Sequence, residues 1–143
     1  MNRHQICLLI AALSCFCVGC GGDGLIAVSG TISWNGEPIE KGMINFYPAD
    51  PSQRPHGSPI TDGKFQFRTS PGEKRVEVFA DRPVGEPDPV MKVQRREQYI
   101  PTRYNEQTEL TANVSESDRT FEFVLEEQKG DTKAGSGVSR NAY

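Results

Sequence analysis

Strict alternation of apolar and polar residues between residues 26 and 34 is the feature that most constrains this fold. The positions that share one face are Ile26, Val28, Gly30, Ile32 and Trp34. A period of two is typical of a β-strand with one buried face. Asn35-Gly36 then predicts a turn, because both residues tolerate positive φ. The sequence therefore begins its folded part with a half-buried strand.

A second run, residues 43–47, alternates in the same way and places Ile44 and Phe46 inward. Pro48 follows and ends the strand by removing a backbone donor. Asp62-Gly63 and Ser70-Pro71-Gly72 are further turn signals between short apolar runs. We predict an all-β chain, a single antiparallel β-sandwich of about seven strands.

The remaining segments have a weaker pattern. Asp50 to Pro59 and Arg82 to Pro89 are rich in proline and are predicted as loops, with a short strand over 58–60 overlapping the first. Val90 to Tyr99 is either one or two helical turns or irregular. The expected core follows from the alternation in each strand, and its members are Val28, Ile32, Ile44, Phe46, Phe65, Phe67, Val76, Val78, Leu110, Ala112, Phe121, Phe123 and Leu125.

The first nineteen residues resemble an export signal. Arg3 precedes an almost wholly apolar run, Ile6 to Val18, and small residues follow it. About thirteen apolar residues are too few to span a bilayer, which needs roughly twenty. We therefore expect residues 1–19 to form a signal helix that is removed.

Val18-Gly19-Cys20 resembles a bacterial lipobox, although Cys17 stands where such motifs usually carry leucine. The resemblance implies that Cys20 becomes the first mature residue and is acylated, with palmitate or a related chain. Cys15 is an alternative acylation site with poorer spacing. Ordinary cleavage near Gly19 or Gly22, giving a soluble secreted protein, is the rival interpretation.

The four cysteines all lie at or before position 20. The predicted mature domain therefore has no pair of cysteines for a disulfide and no thiolate metal site. It contains one histidine, His56, which we place in the exposed loop over 50–59. A hydrolase would need partners for this histidine, so we predict no catalytic residues, no metal and no cofactor.

The opening hairpin also carries a family resemblance. Val28, Gly30, Ile32, Trp34-Asn35-Gly36, Pro38-Ile39 and Gly42 are spaced as in the first hairpin of carboxypeptidase regulatory-like domains, with further matches at Thr61 to Phe65, Pro71-Gly72, Tyr99 to Pro101 and Tyr104-Asn105. These domains belong to the transthyretin-like (prealbumin-like) sandwiches and are similar to Cna-B repeats. The resemblance covers roughly residues 26–126. It implies a small bacterial lipoprotein with an accessory or adhesive role.

These inferences divide the chain into a signal peptide over 1–19, a tether over 20–25, the β domain over 26–126 and a disordered polar tail over 127–143. We expect the protein to lie in the cell envelope, anchored by lipid to the outer rather than the inner membrane. Its net charge of −3 argues against nucleic acid as a partner.

We expect a non-catalytic binding or structural module whose partner is an envelope protein or polysaccharide. A cell-surface carbohydrate-binding module is the alternative, because such modules hold sugars on exposed aromatic rings, and a hydrolase is less favoured. The candidate ligand-binding residues are Trp34, Tyr47, Tyr99 and Tyr104. Trp34 shares its parity with the core positions of its strand and is also expected at the edge of the core.

Overall fold

The structure, a computed structural model, describes residues 23–128 and 130. The expectations for the signal peptide, for Cys15 and Cys20 and for residues 131–143 lie outside this part of the chain. Within it are ten strands and one short 3₁₀ helix, Thr102–Tyr104. The strands are β1 Ile26–Trp34, β2 Glu37–Pro38, β3 Lys41–Pro48, β4 His56–Thr61, β5 Lys64–Thr69, β6 Gly72–Phe79, β7 Asp81–Val84, β8 Arg95–Gln98, β9 Thr111–Val114 and β10 Thr120–Leu125.

Eight strands form one sheet in the order β10-β1-β5-β4-β3-β6-β9, with β2 added beside β1. Strands β7 and β8 form a separate two-stranded hairpin. Neighbours in the main sheet are antiparallel except β1 and β10, which run parallel with Ile32 opposite Phe123. The all-β class is confirmed, whereas the purely antiparallel pairing that we expected is wrong at β10.

The main sheet is curled over itself. Strands β3 and β10 are four positions apart in the sheet order, which would separate them by about 19 Å in a flat sheet. The ring centroids of Phe46 on β3 and Phe121 on β10 are nevertheless 5.8 Å apart. Strands β3 and β10 therefore face each other across a common core.

The core agrees closely with the alternation in the sequence. Ten of the thirteen expected core residues are buried, and Phe67, Leu110 and Phe121 are half-buried against them. Phe121 is partly exposed, whereas Phe123 and Leu125 on the same strand are buried. The expected core left out further side chains that are buried, and they are Ile26, Ile39, Ile60, Ala80, Ile100, Val114, Thr69, Lys74, Glu77 and Asn105. Ile26 lies on the predicted buried face of β1.

Two short turns follow the residue types in the sequence. Asn35 and Gly36 have φ of 51° and 85°, and Asp62 and Gly63 have φ of 49° and 70°. Thr61 pairs with Lys64 across the second turn, so β4 and β5 form a two-residue hairpin. Positive φ at both central residues matches the right-handed twist of the flanking strands, which is why these dipeptides direct the chain back.

The structure corrects three local expectations. The loop after β3 ends at Pro55, because β4 begins at His56. The segment 82–89 is not wholly loop, since Asp81–Val84 is strand β7. The segment 90–99 contains no helix: a single turn, in which the Lys92 N–H donates to the Asp88 carbonyl oxygen at 2.9 Å, leads into strand β8, Arg95–Gln98. Strands β7 and β8 have four residues each, and an alternation of this length is too short to predict a strand from the sequence.

The end of the proposed tether is held against the domain. Arg68 on β5 donates to both carboxylate oxygens of Asp23, at 2.9 and 2.8 Å, and to the carbonyl oxygen of Leu25 at 3.1 Å. The backbone N–H of Glu127, at the other boundary, donates to Oδ1 of Asn35 at 2.9 Å. Asp23 and Leu25, at the end of the proposed tether, are therefore bonded to β5 of the domain.

Candidate functional site

Three of the four predicted ligand-binding residues meet in one place, which we call the aromatic cluster. Trp34 at the end of β1 contacts Tyr99, just after β8, and Tyr104 in the 3₁₀ helix, with ring centroids 6.2 Å apart in both pairs. Both pairs are edge-to-face, an arrangement in which the positive ring edge meets the negative ring face. All three rings are half-buried against the core, as expected for Trp34 from its parity in β1.

Tyr104 is the fixed member of the cluster. Its hydroxyl donates to the carbonyl oxygen of Glu126 and accepts from the N–H of Glu126, both at 3.1 Å. It also accepts from Nη2 of Arg103 at 2.6 Å, and the Arg103 guanidinium lies 4.4 Å from the ring centroid. These bonds join the 3₁₀ helix to Glu126, directly after β10, and hold the Tyr104 ring in contact with Trp34.

Tyr99 is the member that faces charged groups. The guanidinium of Arg82 on β7 lies 5.6 Å from the centroid of its ring. Burial raises the pKa of the Tyr99 hydroxyl; the positive charge of Arg82 opposes this, and the carboxylates of Glu40 and Asp81 add to it. Tyr99 therefore remains a neutral phenol at physiological pH and can both donate and accept a hydrogen bond.

Tyr47 does not belong to the cluster. It lies on β3 opposite Arg75 of β6, whose guanidinium is 5.0 Å from the ring centroid. Arg75 also forms an ion pair with Glu77 at 2.9 Å. Burial, followed by the charge of Glu77, raises the pKa of the Tyr47 hydroxyl. Tyr47 is the one candidate that the fold separates from the others.

A depression of about 410 Å³ opens beside Trp34 and Tyr99, and we call it the aromatic depression. Strands β2, β3, β7 and β8 bring acidic and basic side chains to it. Its other lining residues are Glu37, Pro38, Glu40, Lys41, Asp81, Arg82, Pro83 and Arg96. The sequence did not identify these charged residues as a group, because they are distributed over sixty positions and meet only through the β7–β8 hairpin.

Asp81 and Arg96 form an ion pair across that hairpin. Nε and Nη2 of Arg96 donate to Oδ1 of Asp81 at 3.0 and 2.6 Å, and Nη2 also donates to the Asp81 carbonyl oxygen at 3.1 Å. These bonds hold the pKa of the Asp81 carboxyl below its ordinary value and raise the pKa of the Arg96 guanidinium. Both side chains are about half exposed, so the pair is a fixed but accessible element of the surface.

Lys92, Arg95, Arg96 and Arg103 are four basic residues close together in the sequence, and two of them have separate partners in the fold. Arg96 is bound to Asp81, whereas Arg103 contacts Tyr104 and the carbonyl oxygen of Glu126. Val90, Met91 and Val93 are exposed near Lys92 at the tip of the β7–β8 hairpin. Asp88 fixes this tip by accepting from the N–H groups of Val90 and Met91 at 2.8 and 2.7 Å.

His56 is not the exposed loop histidine that we expected. It begins β4 opposite Phe46, is half-buried, and its Nδ1 lies 3.4 Å from Oγ1 of Thr69. Residues 23–128 and 130 contain no group of three or more histidine, cysteine and acidic side chains placed to hold a metal ion. The same residues include no helix long and apolar enough to cross a membrane.

Lys74 is a buried charged residue whose burial the sequence pattern did not predict. Its Nζ donates to Oγ of Ser70 at 2.9 Å, to the Pro71 carbonyl oxygen at 3.1 Å and to Oε1 of Gln53 at 3.3 Å. Burial lowers the pKa of this amine, and the negative charge of Asp50 partly opposes the shift. The bonds tie the loop after β3 to the turn before β6, far from the aromatic cluster in the sheet.

Comparison with known proteins gives little further guidance. No family model matches the chain, and no curated protein sequence matches it. Among solved structures, a 9R-lipoxygenase from Cyanothece PCC8801 aligns with 73% of this chain at 12% identity and a TM-score of 0.37. The alignment spans 16% of the lipoxygenase chain. A likeness at this level supports no inference about function or fold family.

Proposed function

We propose that this chain is a lipid-anchored protein of the cell envelope whose β domain binds a ligand and performs no catalysis. The observation that carries the proposal is Val18-Gly19-Cys20 directly after the apolar run of residues 6–18. The lipid on Cys20 holds the protein on the outer membrane. The partner is an envelope protein or polysaccharide, and no hydrolysis depends on His56.

The finer fold is part of the same proposal. We assign the domain to the transthyretin-like sandwiches, next to carboxypeptidase regulatory-like domains. Support comes from the link between β4 and β5, where Thr61 and Lys64 are the paired residues. The sheet is thus nearly divided into β10-β1-β5 and β4-β3-β6-β9, and the rings of Phe46 and Phe121 meet between the two parts.

The position of the aromatic cluster fits an anchored binding module. Strand β1 starts at Ile26, beside Asp23 and its partner Arg68, and ends at Trp34. Nine residues at about 3.3 Å each place Trp34 roughly 26 Å from the start of the strand. A lipid on Cys20 would therefore hold the domain by one end and leave the aromatic cluster at the other, away from the bilayer.

The anchor is tested by metabolic labelling with an alkyne-bearing fatty acid. Cys20→Ser should abolish the label and leave the protein untethered or uncleaved, whereas Cys15→Ser, the matched control, should keep the label. Label that persists in Cys20→Ser and disappears in Cys15→Ser would move the anchor to Cys15. Membrane retention that neither change affects would contradict the lipoprotein assignment.

Carbohydrate binding is the second candidate, and the aromatic depression is the observation that favours it. Sugar rings have apolar faces that pack on aromatic side chains, and hydroxyl groups that can both donate to carboxylates and accept from guanidinium groups. Trp34 and Tyr99 offer the first kind of contact, and Asp81 with Arg96 the second. Glycan-array binding that is lost in Trp34→Ala and kept in Tyr47→Ala is the expected result. Loss in both variants, or no bound glycan, would contradict this candidate.

A further inference from the structure

A second depression adjoins the aromatic depression. It measures about 420 Å³ and is lined by Met43 and Phe79 as well as by Gly42, Ala80 and Gln98; we call it the methionine depression. Lys41, Asp81 and Arg96 line both depressions. The Asp81–Arg96 ion pair therefore stands at their common border, and the two depressions form one groove along the junction of the main sheet and the β7–β8 hairpin.

The border of the groove has unused hydrogen-bonding capacity. Arg96 uses Nε and Nη2, and Asp81 uses Oδ1, in the ion pair. Nη1 of Arg96 and Oδ2 of Asp81 take no part in the ion pair. The Asp81 carboxylate can accept a hydrogen bond and the Arg96 guanidinium can donate one, so the pair suits a group that donates and accepts at once, as a hydroxyl does.

The charges around the groove are balanced. Its acidic side chains are Glu37, Glu40 and Asp81, and its basic side chains are Lys41, Arg82 and Arg96. A polyanion or a polycation would meet as much repulsion as attraction here. An uncharged polyhydroxylated ligand meets both kinds of partner without this conflict.

Each half of the groove also has an apolar surface. The aromatic depression has Trp34 and Tyr99, and the methionine depression has Phe79 and Met43, whose side chain is 41% exposed. A single sugar unit needs one apolar surface with polar partners beside it. The groove has two apolar surfaces, one on each side of the Asp81–Arg96 ion pair. The groove is therefore built for consecutive units of a chain.

We propose that this groove binds a linear, uncharged oligosaccharide, with one unit against Trp34 and Tyr99 and the next against Met43 and Phe79. The proposal depends on the carbohydrate-binding function and adds chain length to it. Asp81 and Arg96 hold hydroxyls at the junction of the two units. Because the groove lies at the end of β1 away from the anchor, the polymer is taken from outside the bilayer.

The test is calorimetric titration of the lipidated full chain in detergent with two ladders of one to six units, β-1,4-linked glucose and β-1,4-linked N-acetylglucosamine. For at least one ladder, the Kd should fall at least tenfold from one unit to four. Trp34→Ala should weaken binding at every length, and Met43→Ser should weaken binding of the four-unit chain while leaving the single unit unchanged. Tyr47→Ala, outside the groove, should bind like the wild type.

Affinity that does not depend on chain length, or Met43→Ser binding the four-unit chain like the wild type, would overturn the two-unit groove and leave carbohydrate binding intact. Binding of neither ladder would overturn the proposal as stated. If Trp34→Ala fails to fold, Tyr99→Phe tests the same half of the groove. Labelling of Cys20 is measured separately, so failure of the groove is distinguishable from failure of the anchor.

Discussion

Replacement of Phe46 by alanine tests the curled sheet most directly. The side chain is fully buried on β3, and its ring centroid lies 5.0 Å from that of Phe67, 5.8 Å from Phe121 and 6.3 Å from both Phe65 and Phe123. These partners belong to β5 and β10, on the facing part of the sheet. Phe46 is thus the residue through which the two parts of the core meet.

The magnitude follows from two contributions. Loss of a fully buried phenylalanine side chain removes about 2–3 kcal/mol of transfer free energy, and the cavity left among rings that cannot collapse raises the total to about 4–5 kcal/mol. A domain of this size is stabilised by roughly 5–15 kcal/mol, so Phe46→Ala should remain folded only marginally. Phe121→Ala should cost less, about 1–2 kcal/mol, because that residue is partly exposed and its cavity opens to solvent.

The assay is urea unfolding followed by the fluorescence of Trp34, the only tryptophan of the chain. With a slope of about 2 kcal/mol per molar urea, Phe46→Ala should lower the midpoint by roughly 2 M and Phe121→Ala by less than 1 M. Phe46→Leu, which keeps most of the volume, is the matched control and should lie between the wild type and the alanine variant. Equal losses for Phe46→Ala and Phe121→Ala would refute the packing described for the curled sheet.

The other predictions concern single positions. Gly30→Ala should destabilise the domain by about 3 kcal/mol, because an added Cβ would lie 2.0 Å from the backbone oxygen of Phe121; Ser29→Ala on the same strand is the control in thermal unfolding, and equal melting temperatures of the two variants would contradict the prediction. The Lys74 amine has a lowered pKa in the folded state, so the unfolded chain binds more protons between that pKa and 10.5, and stability should rise with pH in this window. The difference in unfolding free energy between the wild type and Lys74→Met isolates the contribution of this amine. If that difference does not change with pH across the window, the burial of the charge is refuted. Arg96→Gln should raise the Asp81 carboxyl pKa towards its ordinary value in an NMR titration and change the unfolding free energy by less than about 1 kcal/mol, since the pair is half exposed; an unchanged Asp81 titration would contradict the assignment of its shift.

The sequence by itself determined the strands that have one buried face and one exposed face. In β1, β3 and β10 the alternation is long enough to define both the strand and the inward residues, as for Ile32, Phe46 and Phe123. The turns at 35–36 and 62–63 were equally clear, because few residue pairs tolerate positive φ. These are local properties, and short-range geometry is sufficient to fix them.

Only the tertiary structure decided which strands became neighbours and which side chains met. The parallel pairing of β1 with β10 joins residues about ninety positions apart, and no local pattern encodes it. Trp34 and Tyr99 were both candidates, but their contact, and the absence of Tyr47 from it, depends on where the β7–β8 hairpin turns back. The groove beside them is lined by charged residues. In the sequence, each of these residues taken alone is typical of a solvated surface. They become a site because the fold holds Asp81 against Arg96 next to an aromatic surface, and that proximity exists only in three dimensions.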